Sequence, residues 1–452
     1  MLRVCLYCAR DPSEPFKVAP LGIGYIGSYL ISQGLVREAD IRIVDCLEEA
    51  IDFRPDILGV SAVSQVAGDA RHFARKCKEF TGCLTVLGGY HVTCIPNQLP
   101  EEFDIGVMSE GELTFSEIMD KHMKGRLDKS TLSGIRGICH RQDGRVVQTQ
   151  PRELIEDIDS LPWPLRHNSY SNDEPIFTSR GCPFRCRFCA SNTFWRAHTR
   201  FRSANSVVDE ITNIVDTYQP KEIAILDDLW IADKKRFRNI VSSLASRGIP
   251  QKVTFRGFCR SDIVDEETIL LFKKLNYSIV RFGAETGSER LLKRIKGKGI
   301  SISDHQRVID LCFKHGLKCG ASFMFGIPGE TLQDLRLTVE FLRRNKGKCH
   351  IVGFYLFNPI PGTALWNELL DMGEVSENLN LEQLQLDLLN SNFSWNEVLY
   401  FNEKNISLTR FREFIESVKS EFIDPTESEE TALGFVHASR GLLEKVLCFF
   451  RN

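Results

Sequence analysis

Thr178-Ser-Arg-Gly-Cys-Pro-Phe-Arg-Cys-Arg-Phe-Cys-Ala190 sets Cys182, Cys186 and Cys189 in a C-x3-C-x2-C spacing, directly after a strand-like run and a glycine. Three thiolates on one short loop can wrap one face of a cubane iron–sulfur cluster. No fourth cysteine follows at that density, so one iron is left open to bind something other than protein. A structural zinc loop and three buried thiols are the competing readings. Zinc takes four ligands, usually as two separated pairs, and no obvious partner pair follows.

On both sides of this loop the chain alternates short apolar runs with helical patterns. Before it, strands are expected at Leu2–Tyr7, Ile41–Val44, Ile57–Ser61, Leu84–Leu87 and Ile105–Met108. Helices are expected at Leu21–Gln33, Asp69–Phe80 and Thr114–Lys124. Apolar runs this short, separated by helices, predict an α/β doubly wound parallel sheet covered on both faces. Ligands of such sheets bind beyond the carboxyl ends of the strands. Ser61-Ala62, Gly88-Gly89-Tyr90-His91 and Ser109-Glu110-Gly111-Glu112 lie there, with small residues at all three strand ends that let a large flat ligand approach the backbone. A poorly patterned stretch with a hairpin signal at Asp143-Gly144 follows.

After the cysteine loop a second series begins. Its strands are expected near Ile176–Ser179, Glu222–Leu226, Val253–Gly257, Ile279–Phe282, Cys319–Phe325 and Ile351–Leu356. Chemistry-bearing residues recur at successive strand ends, which fits a partial (β/α)6 barrel better than a second doubly wound sheet. The expected organisation is a Rossmann-like domain at 1–130, a linker at 131–170, a partial barrel at 171–375 and a helical, polar C-terminal region at 376–452.

Bulk properties limit the function. The 452 residues predict about three domains. A net charge of −3 leaves no electrostatic footprint for nucleic acid. No apolar run reaches the roughly 18 residues of a membrane span. The 15 cysteines, with no secretory signal ahead of them, point to a reducing compartment, the cytoplasm, with thiols free or on a cluster.

With its open iron and the aromatic Phe188 inside the motif, the cysteine loop resembles the radical S-adenosylmethionine (radical SAM) family. Further patterns follow it in the family's order: Asp227-Asp228-Leu-Trp230, Arg260-Ser-Asp262, Phe282-Gly-Ala-Glu285-Thr-Gly-Ser288, Phe325-Gly-Ile-Pro-Gly-Glu-Thr331 and Asn358-Pro-Ile-Pro-Gly-Thr363. The resemblance implies a [4Fe-4S] cluster on Cys182, Cys186 and Cys189, with S-adenosylmethionine chelated to the open iron. Phe188 would lie by the adenine, and Gly326 and Gly329 would admit the adenosine. Glu285 could bond the ribose or ammonium, and Arg260 could pair bidentately with the carboxylate. Glu285 and Arg260 could instead bridge each other, and Asp227 or Asp228 could cap the next helix.

The first domain resembles the cobalamin-binding domain that precedes this barrel in one branch of the family. The match runs through Ala19-Pro-Leu-Gly-Ile-Gly-Tyr25, Pro55-Asp-Ile-Leu-Gly-Val-Ser61, Gly88-Gly-Tyr-His91-Val-Thr93 and Glu110-Gly-Glu112. It implies cobalamin contacts from Ser61, Gly88, Gly89, His91, Glu110 and Gly111. No D-x-H-x-x-G motif is present, which argues against a histidine under cobalt. The joint resemblance implies reductive cleavage of S-adenosylmethionine to a 5′-deoxyadenosyl radical and methylation of an unactivated carbon of a small biosynthetic intermediate. Flavodoxin or ferredoxin would supply the electron. A rearrangement, dehydration or ring-modifying reaction is the alternative, with or without cobalamin. A non-catalytic iron–sulfur sensor would need only the cysteines.

Other motifs are weaker. Gly22-x-Gly24-x-x-Gly27 with Asp45 fits a dinucleotide fingerprint, but Asp11–Pro20 separates it from its strand. Cys5 and Cys8 form C-x-x-C on opposite faces of a strand. Cys312, Cys319 and Cys349 are too irregularly spaced for a second cluster. His91 could touch the corrin or simply brace its loop. Leu442–Phe450 is amphipathic and reads as a packing helix.

Overall fold

A computed structural model of the chain describes residues 2–10, 19–166, 173–377, 387–389, 393–395, 398, 400–401 and 405–423. The described residues up to Arg166, with Thr193–Arg196, form one compact unit, and the other described residues form a second.

The first unit is built on a sheet of strands β1 (Val4–Cys8), β2 (Ile41–Val44), β3 (Ile57–Ser61), β4 (Leu84–Gly88), β5 (Ile105–Val107), β6 (Ile138–Gln142) and β7 (Arg145–Gln148), in the order β2-β1-β3-β4-β5-β6-β7. The first five pair parallel, as their continuous apolar sequences require when helices cover both faces. Val4, Leu6, Ile57, Val86 and Ile105 are almost wholly buried. The order 2-1-3-4-5 is one of the common doubly wound topologies, whose ligands sit at the carboxyl edge.

The segment expected as a linker at 131–170 is instead partly sheet. Its hairpin turns at Asp143-Gly144, both at positive φ, and β6 adds antiparallel to β5. Leu165 then returns to the helix Leu21–Ser32, donating its N–H to Gly24 O at 3.0 Å. A Cβ at Gly24 would stand 2.5 Å from Leu165 O, and one at Gly27 2.7 Å from Leu165 Cδ1. These glycines therefore admit a neighbouring peptide, and Asp45 pairs with Arg10.

The second unit carries strands β8 (Asp173–Ile176), β9 (Ser179–Arg180), β10 (Arg200–Phe201), β11 (Glu222–Ile225), β12 (Thr254–Cys259), β13 (Tyr277–Glu285), β14 (Cys319–Phe325) and β15 (His350–Leu356). Six of them form a parallel sheet in the order β15-β14-β13-β12-β11-β8, which is the sequential order of a (β/α)6 partial barrel. Ile223, Phe255, Val280, Phe282, Ala321, Phe323 and Phe354 face the covering helices in one core. By the two-residue alternation of strands, Arg256, Arg260, Arg281, Glu285, Ser322 and Tyr355 face the other side. The run expected as one strand at Ile176–Ser179 breaks in two. Its second piece, β9, pairs antiparallel with β10 across the cysteine loop. Of the C-terminal region, Leu408–Phe422 is a helix that buries Phe411, Ile415 and Val418. The expected helix at Leu442–Phe450 lies outside the described residues.

Candidate active site

The cysteine loop leaves β9 and is tied to the barrel through its backbone. Arg187 N–H donates to Ile295 O at 2.7 Å, and Arg187 O accepts from Leu365 N at 3.0 Å. The Arg187 guanidinium pairs with Glu368 at 2.7 Å. Phe188 packs on the apolar cluster that contains Ile327, Met324 and Leu365. Burial pushes the Cys182 thiol up to about 12 and the Cys189 thiol well above its usual range, with the neighbouring Cys186 adding to both. Thiols this desolvated ionise only beside a strong local cation. Among the described residues no three His, Cys, Asp or Glu side chains gather closely enough for a single metal ion. A cubane differs in that each cysteine takes its own iron.

Arg260, at the end of β12, reaches this loop. Its Nη1 donates to Cys186 Sγ at 3.1 Å, and its guanidinium carbon lies 4.0 Å from the centre of the Phe184 ring. Its Nε bonds both oxygens of Asp262, at 2.8 and 3.1 Å. A nitrogen donor on a cysteine sulfur suits a thiolate that carries iron. Glu285, at the end of β13, has a left-handed φ of +65°, and the register slips between Gly283 and Glu285. Strained non-glycine backbone of this kind is concentrated at ligand sites. Its carboxylate is held by Lys296 Nζ at 3.0 Å. The alternative of a mutual Arg260–Glu285 bridge is thus replaced by two separate pairs, because each residue has a nearer counter-ion on a following turn or helix.

The other motif residues are mostly structural. Asp227 accepts from Thr178 N, Thr178 Oγ1 and Ser179 Oγ at 2.5–2.6 Å, fastening the start of the cysteine segment to the end of β11. The next helix is capped by Asp233, not by Asp227 or Asp228. Gly287 N and Thr286 Oγ1 bond Thr338, and Ser288 Oγ donates to Asp334 at 2.5 Å, so the residues after Glu285 lock two helices together. Gly326 and Gly329 have φ of +76° and +81°. Gly326 N–H donates to Glu330 Oε2 at 2.6 Å. Burial raises the Glu330 carboxyl to about 8. Thr363 caps the helix Ala364–Asp371.

In the first unit the loops after β3, β4 and β5 interlock. Ala62 N donates to Gly88 O and His91 N to Ala62 O, both at 3.1 Å. Thr93 Oγ1 donates to Gly89 O at 2.7 Å and accepts from Ser109 N at 2.9 Å. Gly89 has φ +92° and ψ −169°, and a Cβ there would stand 2.7 Å from Ala62 O. Ser61 is buried at the end of β3, with its Oγ 3.0 Å from that same Cβ position, whereas a Cβ at Gly88 would meet only Val60 O, at 3.9 Å. His91 lies in a short helix, Tyr90–Cys94, that the sequence patterning does not predict. Its Nδ1 lies 3.1 Å from Ser64 Oγ, and burial lowers its pKa to about 4. Glu110 accepts from Ile155 N at 2.7 Å, and Gly111 clears Ile26. His91 and Glu110 therefore brace the edge, Gly89 is buried where it admits the close approach of Ala62, and Gly88 is half-buried at the end of β4.

The remaining cysteine clusters are ordinary core. Cys319 and Cys349 have sulfurs 3.9 Å apart, and Cys5 is buried in β1.

In this chain a doubly wound unit precedes a parallel partial barrel that carries three cysteines on the loop beyond its first strand. Comparison with known proteins agrees. Residues 176–342 match the radical SAM superfamily and residues 14–119 match the B12 binding domain. An uncharacterized methyltransferase of Pyrococcus horikoshii is 33% identical over 370 residues, covering 77% of each chain. The anaerobic magnesium-protoporphyrin IX monomethyl ester cyclase of Rubrivivax gelatinosus is 28% identical over 389 residues, covering 79% of this chain and 67% of its own. The fold is similar to that of the radical S-adenosylmethionine methyltransferase TsrM from Kitasatospora setae, at a TM-score of 0.76, 19% identity and 99% coverage of both chains. The chain belongs to the radical SAM superfamily and carries a B12-binding domain ahead of its radical SAM domain.

Among the described residues no helix is long and apolar enough to cross a membrane.

Proposed function

We propose that this protein is a cobalamin-dependent radical SAM enzyme that methylates an unactivated carbon of a small biosynthetic intermediate. The observation that carries the reading is the cysteine loop with Arg260 donating to Cys186. Cys182, Cys186 and Cys189 hold the [4Fe-4S] cluster. Glu285 and the Gly326–Gly329 turn, with Phe188, form the S-adenosylmethionine contacts. The β3–β5 edge, through Ser61, Gly88 and Gly89, takes cobalamin without a histidine ligand, since the His91 ring is turned to Ser64. When bound, these groups supply one-electron cleavage of the sulfonium, hydrogen abstraction and a transferable methyl group. The protein's own work is to position them and to exclude water. A small electron-transfer protein, flavodoxin or ferredoxin in kind, delivers the electron, and the enzyme works in the cytoplasm.

A ring-forming or rearranging outcome is the second reading, favoured by the similarity to the Rubrivivax cyclase. Anaerobic reconstitution with iron, sulfide and cobalamin tests both. About four irons per chain are expected, with 5′-deoxyadenosine formed under reduction and the methyl label of S-adenosylmethionine recovered in product from candidate extracts. Replacing all three cysteines by Ala should abolish iron binding and 5′-deoxyadenosine. Persistence of either in that variant would remove the cluster assignment. Product without methyl label would favour the second reading.

A further inference from the structure

Arg281 sits on the inward face of β13, two inward positions before Glu285, and is almost wholly buried at 4% exposure. Among the described residues its guanidinium has no hydrogen-bond or ion-pair partner, and Nε and Nη1 are sealed from solvent. A buried cation left this way is costly, and proteins normally pair it. The acids around it are already engaged. Asp173 and Glu222 both bind Arg256, at 2.7 and 2.8 Å, and Glu222 also accepts from Ser278. Glu285 is held by Lys296. Burial, helped by the nearby Arg256, lowers the Arg281 pKa only to about 10, so it stays charged at neutral pH.

The register neighbour of Arg281 on β14 is Gly320, where a Cβ would stand 2.5 Å from Val352 Cγ1 and 3.0 Å from Ile279 Cδ1. Beyond it, Gly283 pairs with Ser322 and Ser322 with Gly353. The Tyr355 ring folds back over Gly353, with its hydroxyl 2.5 Å from where a Cβ would be. That hydroxyl is also buried without a partner among the described residues. A forked cation and a hydroxyl donor, both unpartnered inside one barrel, match an oxyanion, which a guanidinium binds through two parallel N–H bonds.

We propose that Arg281 and Tyr355 form an anion subsite inside the barrel, which takes a carboxylate or phosphate-type group of the substrate. This rests on the enzymatic reading above and narrows it to acidic substrates. The anion held at Arg281 would anchor the substrate below Glu285, leaving its other end toward the strand termini.

The test uses the full-length chain and small probes at matched ionic strength: sodium acetate, sodium phosphate and the neutral acetamide. Calorimetry should give binding of acetate or phosphate and none of acetamide. Affinity should fall roughly tenfold to a hundredfold in Arg281→Met, because a charge-assisted hydrogen bond is lost. Tyr355→Phe should weaken it less, and Arg281→Lys should weaken it although charge is kept. Without anion, Arg281→Met should melt no lower than the wild type, since it removes an unpaired buried charge. Preference for acetate over phosphate, or the reverse, assigns the headgroup. Equal anion binding in wild type and Arg281→Met, or no binding at all, would overturn the subsite, and so would an Arg281→Met or Arg281→Lys protein that melts much lower with no anion effect. Cleavage of S-adenosylmethionine by the wild type is measured separately. Cleavage without anion binding removes only the subsite, and anion binding without cleavage removes only the enzymatic reading.

Discussion

Arg260 donates to the Cys186 sulfur at 3.1 Å while Asp262 grips its Nε, so a permanent cation is fixed against one thiol of the cysteine loop. The guanidinium expected to grip the S-adenosylmethionine carboxylate is therefore already committed at two of its nitrogens. Its nearest consequence is electronic. N–H bonds to cluster sulfurs favour the reduced, more negative state.

Arg260→Lys should still assemble a cluster, because all three cysteines remain. A lysine has no fork with which to hold Asp262 and reach Cys186 together. The midpoint potential, read by electron paramagnetic resonance during a redox titration, should shift downward. An unchanged potential would mean that the bond to Cys186 is not kept in the loaded protein.

Two buried histidines predict acid sensitivity. Burial lowers His91 to about 4 and His305 to about 3. Each is neutral in the fold but protonates near 6.5 once unfolded. Their contribution is present above about pH 6.5 and is lost as pH falls toward those folded values. Each should add a slope of about 1.4 kcal/mol per pH unit in that window. Denaturant titrations from pH 7 to 4.5 should show this slope reduced in His91→Gln. A slope identical to the wild type would place the His91 ring in water.

Glu330 carries the opposite sign. Its carboxyl is raised to about 8 by burial, and its Oε1 has no partner among the described residues. The stability it contributes is full below about pH 4.5 and is lost as pH rises through 8. Glu330→Gln keeps an acceptor for Gly326 N–H and cannot ionise. Its melting temperature should equal or exceed the wild type's at pH 9, whereas Glu330→Ala should lie below both. A Gln variant that melts lower than the wild type at pH 9 would show that the ionised carboxylate is the form the fold needs.

Gly89→Ala should destabilise the first unit by at least about 2 kcal/mol. The conformation at Gly89 is one only glycine adopts readily, and the added methyl would press on Ala62 O. Thermal unfolding should detect this, and cobalamin uptake should fall with it. Wild-type stability in this variant would mean that the loop can relax without cost.

The cysteine loop and the strand ends were readable in the sequence because their information is local: a three-cysteine spacing, and polar or glycine residues closing apolar runs. What each polar residue touches was less so. Lys296 meets Glu285 from the far end of the next helix, and Asp227 reaches back to Thr178, 49 residues earlier on the neighbouring strand's end. Such partners depend on tertiary packing that no spacing encodes. The turn at Asp143-Gly144 was legible as a hairpin, but its pairing with β5 was not, since that contact joins residues more than thirty apart. Arg281 did leave a signal, as the one charge between Tyr277 and Phe282 in an otherwise largely apolar strand.

The close seat of Leu165 on Gly24 and Gly27 has a bearing on how this protein can be divided. The stretch around Leu165 lies against the unit's first helix, so it works as a latch on that helix. A fragment cut after β7 would lose the latch and bare a glycine stripe. A portion excised, or exchanged with a relative, therefore has to run at least through Leu165. A swap of the B12 domain made at the end of the sheet would separate Leu165 from the glycines on which it rests.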